Sequence, residues 1–96
     1  MRRGYVYIMS NRYNTVLYTG VTSDLERRVW EHKNGKGGRF TNKYKCHKLV
    51  YFGETDSIAT AIEYEKIIKN GSRQKKKEMI EEMNPNWLDL ANGWFE

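Results

Sequence analysis

The stretch that decides the fold is Tyr18-Thr19-Gly20-Val21-Thr22-Ser23-Asp24-Leu25-Glu26-Arg27-Arg28-Val29-Trp30-Glu31-His32. Its beginning, with Val16 and Leu17 just upstream, is rich in β-branched and aromatic residues and predicts a strand over Val16–Val21. Gly20 stands near the strand's end, where a missing side chain lets a second backbone or a ligand come close. Ser23 and Glu26 have the spacing of a capping box and predict a helix start. Leu25 and Val29 then form an apolar stripe, and Arg28 and His32 lie one turn apart at its edge, while Arg27 points to solvent. A strand thus delivers a tyrosine and a glycine, and the next helix delivers an arginine and a histidine beside them. Such a group suits an anion. The plainer alternative is an arginine that buries its stem and keeps its head wet, beside a histidine that is merely packed.

Upstream, Arg3–Ser10 reads as a strand with apolar residues on both faces, hence covered on both sides. Asn11–Thr15 reads as a hairpin turn, which sets Tyr7 and Tyr18 on neighbouring strands. Downstream, the first helix spans Asp24–Lys33 and closes at Asn34-Gly35, with Gly35 as its cap. From Lys33 to Lys48 the chain carries six Lys or Arg and no acid, with Phe40 and Tyr44 interleaved. A basic, flexible loop of this kind grips a phosphate backbone, with Lys36, Arg39, Lys43 and Lys45 as the contacts; the alternative is a solvated loop whose aromatics anchor it to the core.

Leu49–Glu54 predicts a third strand, and Asp56 or Ser57 caps a second helix that runs to Lys69 and ends at Asn70-Gly71. Its apolar stripe is Ile58, Ala61 and Ile62, and Glu65 falls where the next buried residue should be. A buried carboxylate is costly unless it meets a cation, a metal or a proton, so this break in the pattern marks a functional candidate. A third helix starts near Ser72 and stops at Asn84-Pro85. The tail from Asn86 to Glu96 holds Trp87, Leu88, Leu90, Trp94 and Phe95 and predicts a short helix packed back on the rest.

The 96 residues fit one domain, 1–96, with a modest core. The formal charge of +5 favours a polyanionic partner. Cys46, the single cysteine, excludes an internal disulfide and a cysteine-based zinc site and fits a reducing cytoplasm. No apolar run reaches bilayer length, so a membrane-spanning role is not expected.

Tyr5-Val6-Tyr7, then Tyr18-Thr19-Gly20, then the helix with Arg28 and His32, then Ala61-Ile62-Glu63-Tyr64-Glu65 resemble, in order and spacing, the motifs of the GIY-YIG nuclease domain. The closest likeness is to its small stand-alone bacterial members, and it covers nearly the whole chain. Tyr5 departs from the family's first glycine, with Gly4 adjacent, and Thr19 replaces an isoleucine. The resemblance implies an α/β (α+β) fold, a three-stranded antiparallel sheet flanked by helices. It also implies hydrolysis of DNA phosphodiesters with one Mg²⁺ or Mn²⁺ ion, repair or recombination intermediates being among the expected substrates. Glu65 would be the metal ligand and Arg28 would hold the scissile phosphate. Tyr7 or Tyr18 would position or deprotonate the attacking water, with His32 as the competing base. Lys69 joins the expected nucleic-acid contacts. The competing function is a catalytically weak nucleic-acid-binding module that uses segment 33–48. A further alternative is a structural domain in which Glu65 neutralises Arg28 inside the core. So small a domain would take its selectivity from DNA shape, a protein partner or a second copy of itself.

Overall fold

The structure, a computed structural model, describes residues 3–96; the first two residues of the expected domain lie outside that range. The elements are β1 (Gly4–Ser10), β2 (Leu17–Thr22), α1 (Leu25–Lys33), α2 (Arg39–Lys43), β3 (Lys48–Thr55), α3 (Ile58–Asn70) and α4 (Arg73–Met83). The sheet is antiparallel with strand order β2-β1-β3, so the strand that was expected to be covered on both faces is the central one. This is the three-stranded antiparallel sheet with flanking helices that the resemblance implies.

Alternation along β1 sends its side chains to two separate cores. Val6 and Ile8 point to one face, where they pack with Val50, Ala61 of α3, Ile68 of α3 and Ile80 of α4. Tyr7 and Met9 point to the other, with Leu25 and Val29 of α1, Cys46, Leu49 and Ala91 of the tail. Each fully buried aliphatic side chain contributes roughly 1.5–3 kcal/mol, so neither face is dispensable. Between Ile8 and Met9 the pairing with β3 slips by one residue. Val50 and Tyr51, neighbours in sequence, consequently both serve the α3–α4 face.

Three local expectations are corrected. The N-cap of α1 is Asp24, whose carboxylate accepts from Arg27 N at 3.2 Å, and not Ser23. Asp and Ser cap about equally well, and the Thr22 hydroxyl, accepting from Asp24 N at 3.0 Å, fixes Asp24 in the capping position. The same helix closes on Asn34, with Gly35 following at φ 74°. The basic segment is not a continuous loop, since Arg39–Lys43 forms the short helix α2 around the buried Thr41.

The tail does pack back, with Ala91 buried and Trp87 and Leu90 partly so, but as a run of turns and not a helix. Polar side chains hold it. Asn84 donates to Val50 O at 3.2 Å and to Leu88 O at 2.7 Å, and accepts from Leu88 N at 2.9 Å. Asp89 accepts from Leu49 N and Ala91 N, both at 3.1 Å, and also pairs with Lys33. Those bonds satisfy the backbone in place of a helical ladder.

Candidate functional site

Tyr7 and Gly20 face each other across the β1–β2 ladder, and Tyr18 faces Met9 two pairs further on. Both tyrosines therefore lie on the α1 side of the sheet, with ring centroids 6.4 Å apart. Gly20 is required there: a Cβ would sit 2.4 Å from the Tyr7 hydroxyl oxygen. Gly20 is a point of close approach, but the group that approaches is a side chain, the Tyr7 phenol, and not the backbone or ligand expected.

From α1, one turn apart, Arg28 and His32 reach the same place. Arg28 Nε donates to Tyr7 Oη at 3.3 Å, Nη2 donates to Gly37 O at 2.9 Å, and Nη1 meets Glu31 Oε1 at 3.1 Å. His32 is 1% exposed and has a hydroxyl partner on each nitrogen, Tyr7 Oη on Nε2 at 2.9 Å and Thr41 Oγ1 on Nδ1 at 3.1 Å. One arrangement satisfies all of these donors. Arginine can only donate, so Tyr7 Oη accepts from it and turns its own proton to His32 Nε2. The imidazole proton then sits on Nδ1 and goes to Thr41, whose hydroxyl reaches Gly38 O at 3.4 Å. Burial first, then the charge of Arg28, pushes the His32 pKa down to about 4, so the ring is neutral at pH 7. Burial likewise pushes the Tyr7 phenol up to about 12, although the Arg28 hydrogen bond works in the opposite direction.

Tyr18 is half-buried and stacks in tilted fashion on His32, centroids 5.5 Å apart, and on Phe40 at 6.1 Å. Phe40 and Tyr44 follow at 4.8 Å, both more than 40% exposed. Lys36, Arg39, Lys43 and Lys45 are exposed around them. The basic segment is thus anchored, through Thr41 and Gly37, while its charges stay in water. At Gly37 a Cβ would lie 2.1 Å from His32 Nδ1, so this glycine lets the segment close over the ring.

Four of the five residues expected to do chemistry touch one another, and Glu65 makes no hydrogen bond or ion pair with them. It has none with any other described residue either. Its expected burial is corrected too, because it is half-buried on the shoulder of α3. The inward line of that helix is Ala61 and Ile68, and Ile62, expected inside, is 39% exposed. Tyr64 borders a groove with Tyr51 of β3. One residue on, at about 100° per residue, Glu65 leaves the helix on the other side of that line, toward the β2 edge. The alternative of a core pair between Glu65 and Arg28 fails, for the carboxylate on Arg28 is that of Glu31. Glu31, Gly37 and Thr41 were missed in the sequence. Glu31 and Arg28 were visible as an i, i+3 pair; the other two carried no signal, since a loop glycine and a lone threonine have many uses.

A family model described as the GIY-YIG catalytic domain matches residues 3–78. The chain belongs to the GIY-YIG family. A UPF0213 protein of Staphylococcus saprophyticus is 38% identical over 82 residues, which cover 85% of this chain and 99% of that protein. A UPF0213 protein of Haloquadratum walsbyi is 41% identical over 78 residues, 81% of this chain and 86% of its own length. The solution NMR structure of a UPF0213 protein from Bacillus halodurans superposes with a TM-score of 0.58 at 28% identity, covering 95% of this chain and 96% of that one. GIY-YIG membership implies a nuclease-type fold and a nucleic-acid substrate, and nucleases of the family are generally divalent-metal dependent.

Among the described residues no three His, Cys, Asp or Glu cluster to cage a metal. Glu65 is a hard oxygen donor with no other partner, which fits a Mg²⁺ held by one carboxylate and completed by water and phosphate oxygens. No helix among the described residues is long and apolar enough to cross a membrane.

Proposed function

We propose that this GIY-YIG protein is a metal-dependent endonuclease that hydrolyses phosphodiester bonds in DNA. The carrying observation is the half-open guanidinium of Arg28, held from behind by Tyr7 and Gly37 and bordered by Tyr18, with the exposed Lys36 next to Gly37 in the chain. Three of its five N–H groups are engaged, which leaves two to grip phosphate oxygens and to offset the charge that grows on them. Among the candidate bases, Tyr7 and His32 are each 1% exposed and bonded to each other. Their roles are therefore to hold Arg28 in position and to keep its surroundings dry. Tyr18, the more open phenol, positions or deprotonates the attacking water. Glu65 holds the single Mg²⁺ or Mn²⁺. When bound, such an ion supplies Lewis acidity at a phosphoryl oxygen and lowers the pKa of water. Lys36, Arg39, Lys43, Lys45 and Lys69, all exposed, contact the phosphates on either side.

In this reading residues 1–96 act as one domain in the cytoplasm. The buried, unpaired thiol of Cys46 accords with that compartment. Selectivity comes from DNA shape, a protein partner or self-association, with repair or recombination intermediates as the substrates to try first. The alternative of a catalytically weak nucleic-acid-binding module draws on one observation, that a carboxylate, Glu31, already sits on Arg28.

Incubating the protein with branched, nicked and duplex DNA and with RNA, in Mg²⁺, Mn²⁺ or EDTA, separates the two. Metal-dependent cuts that vanish in Glu65→Gln, with binding kept, are expected. Binding without cleavage in any metal would establish the module instead, and a wild-type rate in Glu65→Gln would remove the metal ligand from Glu65.

A further inference from the structure

A second basic run lies outside the site. From Lys66 to Lys77 the chain holds six Lys or Arg and no acid, matching the six between Lys33 and Lys48. Far apart in sequence, the two runs meet at the tip of the β1–β2 hairpin. Asn14 is the joint. Its backbone has φ 60°, its side-chain oxygen accepts from Lys48 Nζ, and its carbonyl accepts from Arg73 Nη2 at 2.9 Å. The α3–α4 corner is fixed as well, since Lys76 donates to Lys69 O at 3.3 Å and to Gly71 O at 3.2 Å.

Arg12, Lys66, Lys69 and Lys75, on the segments that these bonds tie together, stand exposed, and so do Lys43 and Lys45. None of those six enters an ion pair among the described residues, whereas Arg3, Arg27, Arg28 and Lys33 all do. Like charges gathered without counter-charges repel one another and hold a condensed layer of anions, which a polyanion displaces with a gain in entropy. Tyr13, at the hairpin tip, is 72% exposed with the Arg12 guanidinium 5.5 Å from its ring centroid, an aromatic face open to a stacking base. The Glu65 shoulder of α3 leads into the same region, because Lys69 lies one turn beyond it.

We propose that the hairpin tip and the α3–α4 corner form, with the basic segment, one continuous belt that binds the nucleic-acid backbone beyond the bond being cut. The inference rests on nucleic acid being the partner, and it deepens the proposed function by giving the substrate a direction. The strand leaves the Arg28 site along Lys43 and Lys45, rounds the hairpin tip and continues past Lys69. A substrate must therefore extend well past the cut on that side to bind fully, and an oligonucleotide that covers only the Arg28 site forgoes these contacts.

The test is fluorescence anisotropy with labelled duplexes of about 8 and about 30 base pairs in EDTA, over a range of salt concentrations. Arg12→Gln/Lys66→Gln/Lys75→Gln should flatten the slope of log affinity against log salt for the long duplex by about three units, one for each lost phosphate contact. Its slope on the short duplex should move by less than about one unit. Arg3→Gln/Arg27→Gln, which removes charge away from the belt, should shift the long-duplex slope by less than about one unit. A triple-variant slope equal to the parent's, or equal flattening by the two sets, overturns the belt. Because cleavage is blocked in EDTA, absence of nuclease activity in a parallel metal assay counts against the proposed chemistry alone, while the salt slopes decide the belt.

Discussion

Arg27 and Arg28 are adjacent, equally charged and on one helix, yet their removal should have very different consequences. The Arg28 side chain is 30% exposed and makes three polar contacts, while Arg27 is 77% exposed with a single contact, 3.7 Å from Glu31. An arginine aimed at developing phosphate charge in a partly dry site resembles an oxyanion-hole donor, whose loss costs about 10²–10³ in rate, or about 3–4 kcal/mol. Arg28→Ala should therefore slow single-turnover cleavage at saturating protein by at least about a hundredfold. Arg27→Ala removes a screened surface contact, roughly 0–1 kcal/mol, and should cost less than about tenfold. Arg28→Lys is the sharper variant. A lysine has three donors, and Tyr7 Oη, Gly37 O and Glu31 already claim three from Arg28, so none is left for phosphate. It should fall close to Arg28→Ala. Truncation also strips a donor from Gly37 O and Tyr7 Oη, at about 1–3 kcal/mol of stability, so circular dichroism and thermal melts must show each variant folded at the assay temperature. Equal losses at Arg27 and Arg28 in folded proteins would refute the assignment of the helix face and with it the site.

Two further outcomes follow from the buried relay. Gly37→Ala places a Cβ 2.1 Å from His32 Nδ1; urea unfolding should show a loss of about 1–3 kcal/mol, and cleavage should fall with it, whereas an unperturbed variant would mean that segment 37–41 does not close over His32. For His32, the unfolded chain takes up a proton near pH 6.5, and the native ring refuses it until about pH 4. The native state thus has its full advantage above about pH 6.5 and loses on the order of 3 kcal/mol as pH falls to about 4. Urea unfolding at several pH values should show this loss reduced in His32→Gln, and identical pH profiles for the two proteins would refute it. The His47 pKa is also lowered, by burial first, and its contribution is common to both proteins.

The sequence by itself determined the strands, three of the four helices and the meeting of Tyr7, Tyr18, Arg28 and His32. Those features are written in short-range periodicity: alternation sends Tyr7 and Met9 to one face, and a four-residue step sets His32 one turn from Arg28. Glu65 was legible as a break in a stripe, but its burial was not, because the inward line of α3 depends on how the helix lies on the sheet, and it lies with Ala61 and Ile68 down and Ile62 out. The tertiary structure decided the partners. Glu31 rather than Glu65 neutralises Arg28, Thr41 orders a helix within a run that reads as loop, and Asn84 and Asp89 hold the tail in turns where its apolar residues suggested a helix. It also joined two basic runs through Asn14. Apart from the Glu31–Arg28 pair inside α1, each of these rests on a contact between segments brought together only by chain closure. Hydrogen bonds of that kind depend on positions set to within a fraction of an ångström, which composition and spacing do not encode.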